Sequence, residues 1–287
     1  MPRLSDSAPF VLFEDARPGG GEALVFQGPR EMVLAETLDE VEPALSRLRA
    51  GLREGQYAAG WLSYEAGFAL EPRRKARAGP IEPPLLWFGL FESACRVSRQ
   101  QLQSLLPDGC GAWLSEPRPR MTRAAYEAAF ARAQRYIEAG DVYQINLSYR
   151  ADLDVIGDPL AAYARLRRAG AGGWSGIAFS GERWLLSTSP ELFFRLERGV
   201  IEARPMKGTA RRGATPEEDA RAAARLASDP KELAENVMIV DLLRNDISRI
   251  ARRGSVRAPE LFRLETYPTL HALTSTVRAE MGEGRDA

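Results

Sequence analysis

Lys207 is the residue best suited to chemistry, because it can release a proton and stands in an unusual backbone setting. The chain contains 39 lysine and arginine residues, yet only Lys75, Lys207 and Lys231 are lysines, and arginine keeps its proton at any useful pH. Pro205 before Lys207 and Gly208 after it predict a tight bend that a ligand can approach. A lysine desolvated there could act as a nucleophile; the alternative is a lysine in a surface turn.

Two carboxylates, Glu232 and Glu235, form a second candidate group. They are three residues apart in a segment predicted to be helical, so they project from one face of the helix. Beside an otherwise apolar stretch, two such carboxylates could hold a hard cation such as Mg²⁺. The alternative is an ordinary helix start, where acidic residues interact favourably with the helix dipole.

One further carboxyl group and one imidazole complete the candidates. Glu191 follows Ser189 and Pro190 and precedes an apolar strand, so it could be partly desolvated and act as a general acid. The alternative for Glu191 is a turn residue in water. His271 is the only histidine in the chain, and a structural role is the more common one for a lone histidine between apolar residues.

Three helices that could position these groups have recognisable starts. Thr122 is predicted to cap a helix that ends at Gly140. Thr215 is followed by proline and two glutamates, which are typical of a helix N-terminus, and Asp229 begins a similar segment. The helix after Asp229 carries the acidic pair and is predicted to run to about Arg252.

Alternating apolar and polar residues predict the strands. Residues 141–153 place Tyr143, Ile145 and Tyr149 on one face, which predicts a half-buried strand. The same reasoning predicts strands within 8–27, 57–68, 84–93, 175–189 and 191–206, and helices at 38–54 and 159–168. Helices and strands without regular β-α-β alternation predict an α+β fold with a large, mostly antiparallel sheet system.

Composition argues against several classes of protein. The chain has 287 residues and a formal net charge of zero, so no basic excess indicates nucleic-acid binding. No apolar run approaches the roughly 20 residues that span a bilayer, and the N-terminus does not resemble a signal peptide. Cys95 and Cys110 lack the spacing of a zinc site, and we expect free thiols in a cytoplasmic protein. The basic, proline-rich residues 71–84 are predicted to form an exposed loop.

Five segments, taken in order and spacing, resemble the chorismate-binding enzymes. That family includes anthranilate synthase component I, aminodeoxychorismate synthase component I, isochorismate synthases and salicylate synthases. The resemblance covers nearly the whole chain. The segments are GDVYQINLSYR at 140–150, SPELFF at 189–194, RPMKGTARRG at 204–213, KELAENVMIVDLLRNDISRI at 231–250 and LHALTSTV at 270–277.

The resemblance implies a fold of large, mostly antiparallel sheets in a sandwich flanked by helices. Residues 1–118 resemble the N-terminal region of the amine-transferring members, and residues 119–287 resemble the first part of the chorismate-binding domain. The family continues with a Gly-Ser-Ile-Thr-Gly-Ala-Pro-Lys segment and a second acidic helix. We therefore expect this chain to be C-terminally incomplete, and to have little or no synthase activity alone.

The resemblance also implies catalytic roles. Lysine at position 207, followed by glycine and threonine, matches the aminodeoxychorismate synthases, whereas anthranilate synthases have a small residue there. Lys207 would add to C2 of chorismate while the C4 hydroxyl leaves. Glu191 matches the general acid that protonates that hydroxyl, and His271 matches a family histidine near the ring.

The remaining roles concern substrate and metal. Glu235 matches a Mg²⁺ ligand, with Glu232 reaching the metal directly or through water. Gly208 and Thr209 would line the ring pocket. Gln144 falls where the water-using members carry a lysine base, and a neutral side chain there suits an enzyme that uses ammonia.

The implied product is 4-amino-4-deoxychorismate, a precursor of 4-aminobenzoate and folate. Ammonia would come from glutamine through a glutamine amidotransferase subunit. The nearest alternative is anthranilate synthase component I. An alternative of a different class is a non-catalytic fragment that binds an amidotransferase or an amino-acid effector.

Overall fold

Strands and helices take similar shares of the described part of the chain, and the pairings between the strands are antiparallel. The computed structural model describes residues 4, 6–71, 84–282 and 284, so most of the predicted loop at 71–84 lies outside the described residues. The strands are β1 Phe10–Glu14, β2 Ala23–Gln27, β3 Glu31–Ala35, β4 Tyr57–Leu62, β5 Leu86–Phe91, β6 Cys95–Val97, β7 Ala112–Leu114, β8 Arg118–Pro119, β9 Ala151–Asp152, β10 Val155–Gly157, β11 Trp174–Phe179, β12 Trp184–Ser189, β13 Leu192–Glu197, β14 Val200–Arg204, β15 Met206–Arg211, β16 Arg257–Thr266 and β17 Leu270–Glu280. The α-helices are α1 Leu38–Arg53, α2 Gly67–Leu70, α3 Arg99–Leu105, α4 Arg123–Glu138, α5 Pro159–Gly170, α6 Pro216–Ser228 and α7 Pro230–Ser248, with 3₁₀ turns at Tyr64–Ala66 and Gly109–Gly111. The predicted α+β class is confirmed.

The chain divides into two compact units that are interleaved along the sequence. One unit comprises Met1–Pro107 and Leu166–Pro190, and the other comprises Asp108–Arg165 and Glu191–Ala287. The regions expected from the resemblance, residues 1–118 and 119–287, are each one continuous stretch, whereas each compact unit consists of two separate stretches.

The first unit contains two antiparallel sheets that share an apolar core. The five-stranded sheet has the order β12-β11-β1-β2-β6, and the three-stranded sheet has the order β3-β5-β4. Helix α1 packs on the smaller sheet through Val41 and Leu48. Side chains of both sheets meet in one cluster, which includes Val11, Phe26 and Phe91. Helix α1 and strands β1, β2, β4, β5, β11 and β12 overlap segments predicted from the sequence, whereas β3 and β6 were not predicted.

The largest sheet of the second unit has the order β13-β14-β17-β15, with β16 also paired to β17, and two-stranded sheets join β7 to β10 and β8 to β9. Helix α7 packs on the largest sheet, burying Val240 and Ile247 against Ile201, Ala203 and Val277. The turn between β13 and β14 has positive φ angles at Arg198 and Gly199, as a two-residue hairpin turn requires. All the predicted site residues belong to this unit.

The predicted helix starts at Thr122, Thr215 and Asp229 are confirmed. Each threonine Oγ1 accepts a hydrogen bond from the backbone N–H three residues on, at 3.2 Å for Thr122 and 3.3 Å for Thr215. Asp229 Oδ1 accepts hydrogen bonds from the backbone N–H groups of Lys231 at 2.9 Å and Glu232 at 3.1 Å. These bonds satisfy donors that have no partner within a helix.

The end of α7 differs from the prediction. The helix ends at Ser248 rather than near Arg252. Beyond it, Ala251 forms a bridge with Met281, and the backbone N–H of Arg252 donates to the carbonyl of Glu280 at 2.7 Å. The helix is shorter than predicted because this backbone pairs with the end of the sheet.

The strand predicted at residues 141–153 is wrong. Only Ala151–Asp152 are extended in a ladder, paired with β8, and residues 144–150 have no regular structure. Period-2 alternation describes which side chains would share a face, but a strand also needs a backbone partner, and none of the described strands pairs with 141–150. Tyr143 and Tyr149 are consequently 55% and 50% exposed.

Helix α4 forms as predicted, but its apolar stripe is uncovered in the described structure. The stripe comprises Tyr126, Ala129, Phe130, Ala133 and Ile137. No residue of the helix is buried, and Phe130 and Ile137 are 48% and 37% exposed. Within the stripe the ring of Tyr126 contacts that of Phe130, and it also contacts the ring of Tyr149, which follows the helix.

Among the described residues, no helix is both long and apolar enough to cross a membrane.

Candidate active site around Lys207

The pairing of β15 with β17 is interrupted by a β-bulge. The pairs Met206–Thr274 and Thr209–Ala272 flank the irregularity. Three steps along β15 therefore correspond to two steps along β17, so β15 carries one extra residue. A bulge bends its strand and changes the direction of a side chain, and bulges are common beside active sites.

Lys207 and Gly208 occupy this bulge. The sequence predicts a tight bend at this position, and the bend takes the form of a bulge within a strand rather than a surface turn. Gly208 has φ +88°, a conformation that favours glycine. A Cβ added at Gly208 would lie 3.1 Å from Glu232 Oε2 and 3.2 Å from Glu232 Cβ. The bulge is therefore packed against the first turn of α7.

The two carboxylates of α7 converge on one cationic group. Lys231 Nζ lies 3.5 Å from Glu232 Oε1 and 3.0 Å from Glu235 Oε1. The hydrogen bond to Glu235 and the charges of both carboxylates raise the pKa of Lys231. From the other side, Gln144 Nε2 donates to Glu235 Oε2 at 3.2 Å. The structure thus brings Gln144 and the acidic pair together with the bulge.

The acidic pair fits a divalent cation that takes its other ligands from substrate or water. Lys231 shows that one positive charge can sit close to both carboxylates, whose side chains are 25% and 31% exposed. Mg²⁺ in proteins is commonly held by one or two carboxylates, with the remaining positions filled by water and substrate. Within the described residues, no group of three or more His, Cys, Asp and Glu residues forms a metal site. Mg²⁺ stays a prediction.

Glu191 lies beside the bulge. The backbone N–H of Met206 donates to Glu191 Oε1 at 3.2 Å, which places the carboxyl group next to the residue that precedes Lys207. The predicted partial desolvation is not observed, because Glu191 is exposed. The strand that follows leaves Phe193 82% exposed, so the described residues do not cover this side of the site.

Thr209 lies on β15, immediately after the bulge. It is exposed and pairs with Ala272 of β17. Its predicted contribution to a ring pocket stays a prediction.

His271 is buried, with both ring nitrogens engaged. The Nδ1 atom is 3.0 Å from Thr266 Oγ1, and Nε2 is 2.9 Å from Asp219 Oδ1. Asp219 also accepts two hydrogen bonds from Arg212, at 2.7 Å each. The Arg212 guanidinium, a backbone N–H and the His271 ring hold the pKa of Asp219 well below its usual range.

This network ties β17 to α6 and to the end of β16. These contacts give His271 a structural role, which is the more common role for a lone histidine. The predicted position of His271 near the substrate ring stays a prediction.

Sequence comparison shows the family. The chorismate binding enzyme family matches residues 9–287. The chain belongs to the chorismate binding enzymes. Among its relatives, aminodeoxychorismate synthase component 1 of Klebsiella aerogenes is 39% identical over 243 residues, which are 78% of this chain and 54% of the relative. The same component of Salmonella typhimurium is 37% identical, over 80% of this chain and 55% of the relative. The chain thus spans about half the length of these curated relatives.

Other members of the family are also similar to this chorismate binding enzyme. Anthranilate synthase component 1 of Cereibacter sphaeroides is 40% identical over 61% of the chain and 35% of the relative. A solved 2,3-dihydroxybenzoate-specific isochorismate synthase from Bacillus anthracis superposes with a TM-score of 0.72 at 18% identity, covering 99% of this chain and 70% of that one. Anthranilate synthase component I of Streptococcus pneumoniae gives 0.69 at 21%, covering 99% and 72%. These superpositions show the fold, and agree with the predicted one.

Sequence reasoning missed two residues of this chorismate binding enzyme. Lys231 was recognised only as a scarce lysine, although its position one residue before Glu232 and four before Glu235 permits both ion pairs. Asn236 is 1% exposed and donates to the carbonyl of Lys207. An amide four residues after Glu232, inside an apolar stretch, was the available signal.

Proposed function

We propose that this chain carries the nucleophile-bearing part of an aminodeoxychorismate synthase component I. The observation that carries the proposal is the placement of Lys207 in a bulge that is flanked by Glu191 and packed against the acidic turn of α7. A nucleophilic amine, a carboxyl group and a carboxylate pair are the groups that the reaction needs. Three relatives named aminodeoxychorismate synthase component 1, which are 36–39% identical, support the same assignment.

In the proposed reaction, the neutral amine of Lys207 adds to C2 of chorismate. The two conjugated ring double bonds shift, the C4–O bond breaks, and Glu191 gives its proton to the departing hydroxyl, which leaves as water. The alkylated nitrogen loses one proton, so that the adduct equals lysine plus chorismate minus one water. Ammonia then adds at C4, the bond from C2 to the lysine nitrogen breaks, and Lys207 is regenerated.

The other predicted residues would bind substrate and metal. Glu235 and Glu232 would hold Mg²⁺, which supplies positive charge for the ring carboxylate when bound. Gln144 fixes the second oxygen of Glu235 and offers no base to activate water. Gly208 lets the backbone of β15 approach the first turn of α7 closely. Thr209 and His271 would lie near the substrate ring.

We further propose that ammonia is supplied by a glutamine amidotransferase partner in the cytoplasm. The relatives from Klebsiella aerogenes and Salmonella typhimurium are each named component 1, which indicates a second component in those proteins. The product, 4-amino-4-deoxychorismate, would serve 4-aminobenzoate and folate synthesis.

The test is covalent capture of chorismate by Lys207. Because the chain spans about half of its relatives' length, adduct formation is a more direct readout than turnover. The protein is incubated with chorismate and Mg²⁺ without ammonium, and peptide mass spectrometry is used to detect lysine plus chorismate minus one water. We expect the adduct at Lys207 and its loss in Lys207→Ala. Lys75→Ala is the matched control and should keep it.

An adduct on another residue, or equal labelling of Lys207→Ala, would contradict the proposal. So would the absence of an adduct after incubation with chorismate and Mg²⁺ at concentrations that saturate a full-length relative.

Anthranilate synthase component I is the second candidate, favoured by relatives of that name that are 39–42% identical over 57–61% of the chain. Product identification after addition of ammonium separates the two. Aminodeoxychorismate that disappears in Lys207→Ala supports the first candidate, whereas anthranilate that persists in Lys207→Ala supports the second.

A further inference from the structure

The backbone of Lys207 is held by a buried amide. Asn236 is 1% exposed, and its Nδ2 donates to the carbonyl oxygens of Lys207 at 3.4 Å and Leu273 at 3.3 Å. Leu273 belongs to β17, on the strand opposite the bulge. One side chain of α7 therefore joins the two strands at the point where their regular pairing is interrupted.

The oxygen of the same amide is also engaged, so its orientation is fixed. The hydroxyl of Ser275, which is fully buried, donates to Asn236 Oδ1. Ser275 Oγ in turn accepts from the backbone N–H of Phe262 at 3.1 Å. Phe262 has φ +56°, a conformation that a bulky residue adopts only where its surroundings hold it. The amide is thus supported from a third strand, β16.

These bonds supply hydrogen-bond partners that the bulge would otherwise lack. A bulge leaves one residue outside the regular ladder, and a buried carbonyl without a donor is costly. Asn236 supplies that donor to Lys207. The same helix presents Glu232 one turn earlier, against Gly208, and Glu235 one residue earlier. The position of Lys207 and the positions of the acidic pair are therefore both set by one rigid element, helix α7.

We propose that Asn236 is a positioning residue for Lys207. By fixing the carbonyl of Lys207 in the bulge, it sets the direction of the lysine side chain relative to Glu191 and the acidic pair. Ser275 acts with it by orienting the amide. The role in reaction rests on the function proposed above, but the geometric claim can be tested without chorismate.

The experiment measures lysine reactivity in the whole chain. A limiting amount of an amine-acylating reagent is used, and peptide mass spectrometry gives the labelling rate of Lys207 relative to Lys231, which is 74% exposed. In Asn236→Leu, which keeps the side-chain size but removes both donors, we expect this ratio to rise about fivefold, the population change expected on losing one net hydrogen bond. Ser275→Ala should raise the ratio by a smaller factor.

Val240→Ala is the matched control. Val240 lies one turn further along α7, is 5% exposed and packs on the same sheet, but its side chain has no group that could donate a hydrogen bond to the carbonyl of Lys207. Thermal unfolding is measured for each variant. Val240→Ala should be destabilised while its Lys207 to Lys231 ratio stays unchanged. An equal rise in Val240→Ala, or an unchanged ratio in both Asn236→Leu and Ser275→Ala, would overturn the proposal.

Adduct formation with chorismate gives the second readout. In Asn236→Leu we expect the maximal rate of adduct formation to fall while the half-saturating chorismate concentration is unchanged, because positioning and not binding is impaired. A rate that falls no further than in Val240→Ala would also count against the proposal. If the unaltered chain forms no adduct, the proposed function fails, and the reagent measurement still decides the role of Asn236.

Discussion

Gly208 is the residue at which backbone conformation and packing both restrict the choice of amino acid. Its φ of +88° is strained for any residue with a Cβ, and that Cβ would meet the Glu232 side chain at 3.1–3.2 Å. We expect Gly208→Ala to lower the free energy of unfolding by about 1–3 kcal/mol, measured by urea denaturation. It should also slow adduct formation at Lys207.

Gly199 offers a matched control for this prediction. It has φ +74°, and nothing lies within 4 Å of a Cβ built there, so Gly199→Ala changes the backbone strain alone. A larger loss in Gly208→Ala than in Gly199→Ala would measure the contact with Glu232. Equal losses would show that α7 can move away from the bulge without cost.

Asp219 determines part of the acid sensitivity of the second unit. Its pKa is held well below the usual range, chiefly by the Arg212 guanidinium, with help from the N–H of Gly213 and from His271. A carboxyl group with a lowered folded-state pKa stabilises the protein above its unfolded pKa of about 3.9, and that contribution is lost as the pH falls below it. Asp219→Asn should therefore be less stable than the original chain near neutral pH.

The difference should shrink as the pH falls from about 4 towards 2, because in this range the unfolded chain binds a proton at Asp219 while the folded chain does not. Urea denaturation at several pH values measures it. Asp241→Asn removes the same charge from α7 at a side chain that is 77% exposed, and should give a much smaller difference. A pH-independent gap between Asp219→Asn and the original chain would contradict the assignment to ionisation.

The individual site residues were predictable to different degrees. Lys207, Gly208 and the acidic pair stand out by type and spacing. A lysine next to glycine predicts a bend, and two carboxylates three residues apart predict a shared helix face, so both features depend on neighbouring residues alone. Asn236 does not, since its role depends on a carbonyl 29 positions away in the chain. Burial of Glu191 depends equally on distant residues, which explains why its predicted desolvation is not observed.

At the level of elements, local signals predicted where helices begin better than where they end or how their faces pack. The caps at Thr122, Thr215 and Asp229 are set by bonds within three residues, so they can be read from the sequence. The end of α7 depends on pairing with Glu280, and the strand expected at 141–153 depends on a partner strand. Neither of these distant contacts leaves a local sequence signal.

The uncovered stripe of α4 should contribute little to the stability of this chain. Phe130 is 48% exposed, and glutamine is a good helix former. Phe130→Gln should therefore change the free energy of unfolding by less than about 1 kcal/mol. Because exposed apolar patches promote association, the variant should also associate less, as measured by light scattering against concentration.

Leu226→Ala is the control for a covered position. Leu226 of α6 is 4% exposed, and truncating a buried leucine costs about 2–5 kcal/mol. A loss of similar size in Phe130→Gln would show that the stripe of α4 is covered in solution.

On the scale of the whole molecule, the order of elements along the chain differs from their order in space. The first unit takes residues from both sides of an insertion that belongs to the second unit. A boundary inferred from regional resemblance, such as the one after residue 118, cannot reveal this, because the return of the chain after residue 165 is defined by pairing and not by composition.

The interleaving has a consequence for the order in which the nascent chain can fold. Strand β1 occupies the middle of its sheet, between β2 and β11, and Phe10 pairs with Phe179, about 170 positions later. At a translation rate of about 5–20 residues per second, roughly ten to thirty seconds pass between the appearance of β1 and that of its partner. During this interval one edge of an apolar strand is open to other chains, so slower elongation or crowded ribosomes should penalise the first unit most.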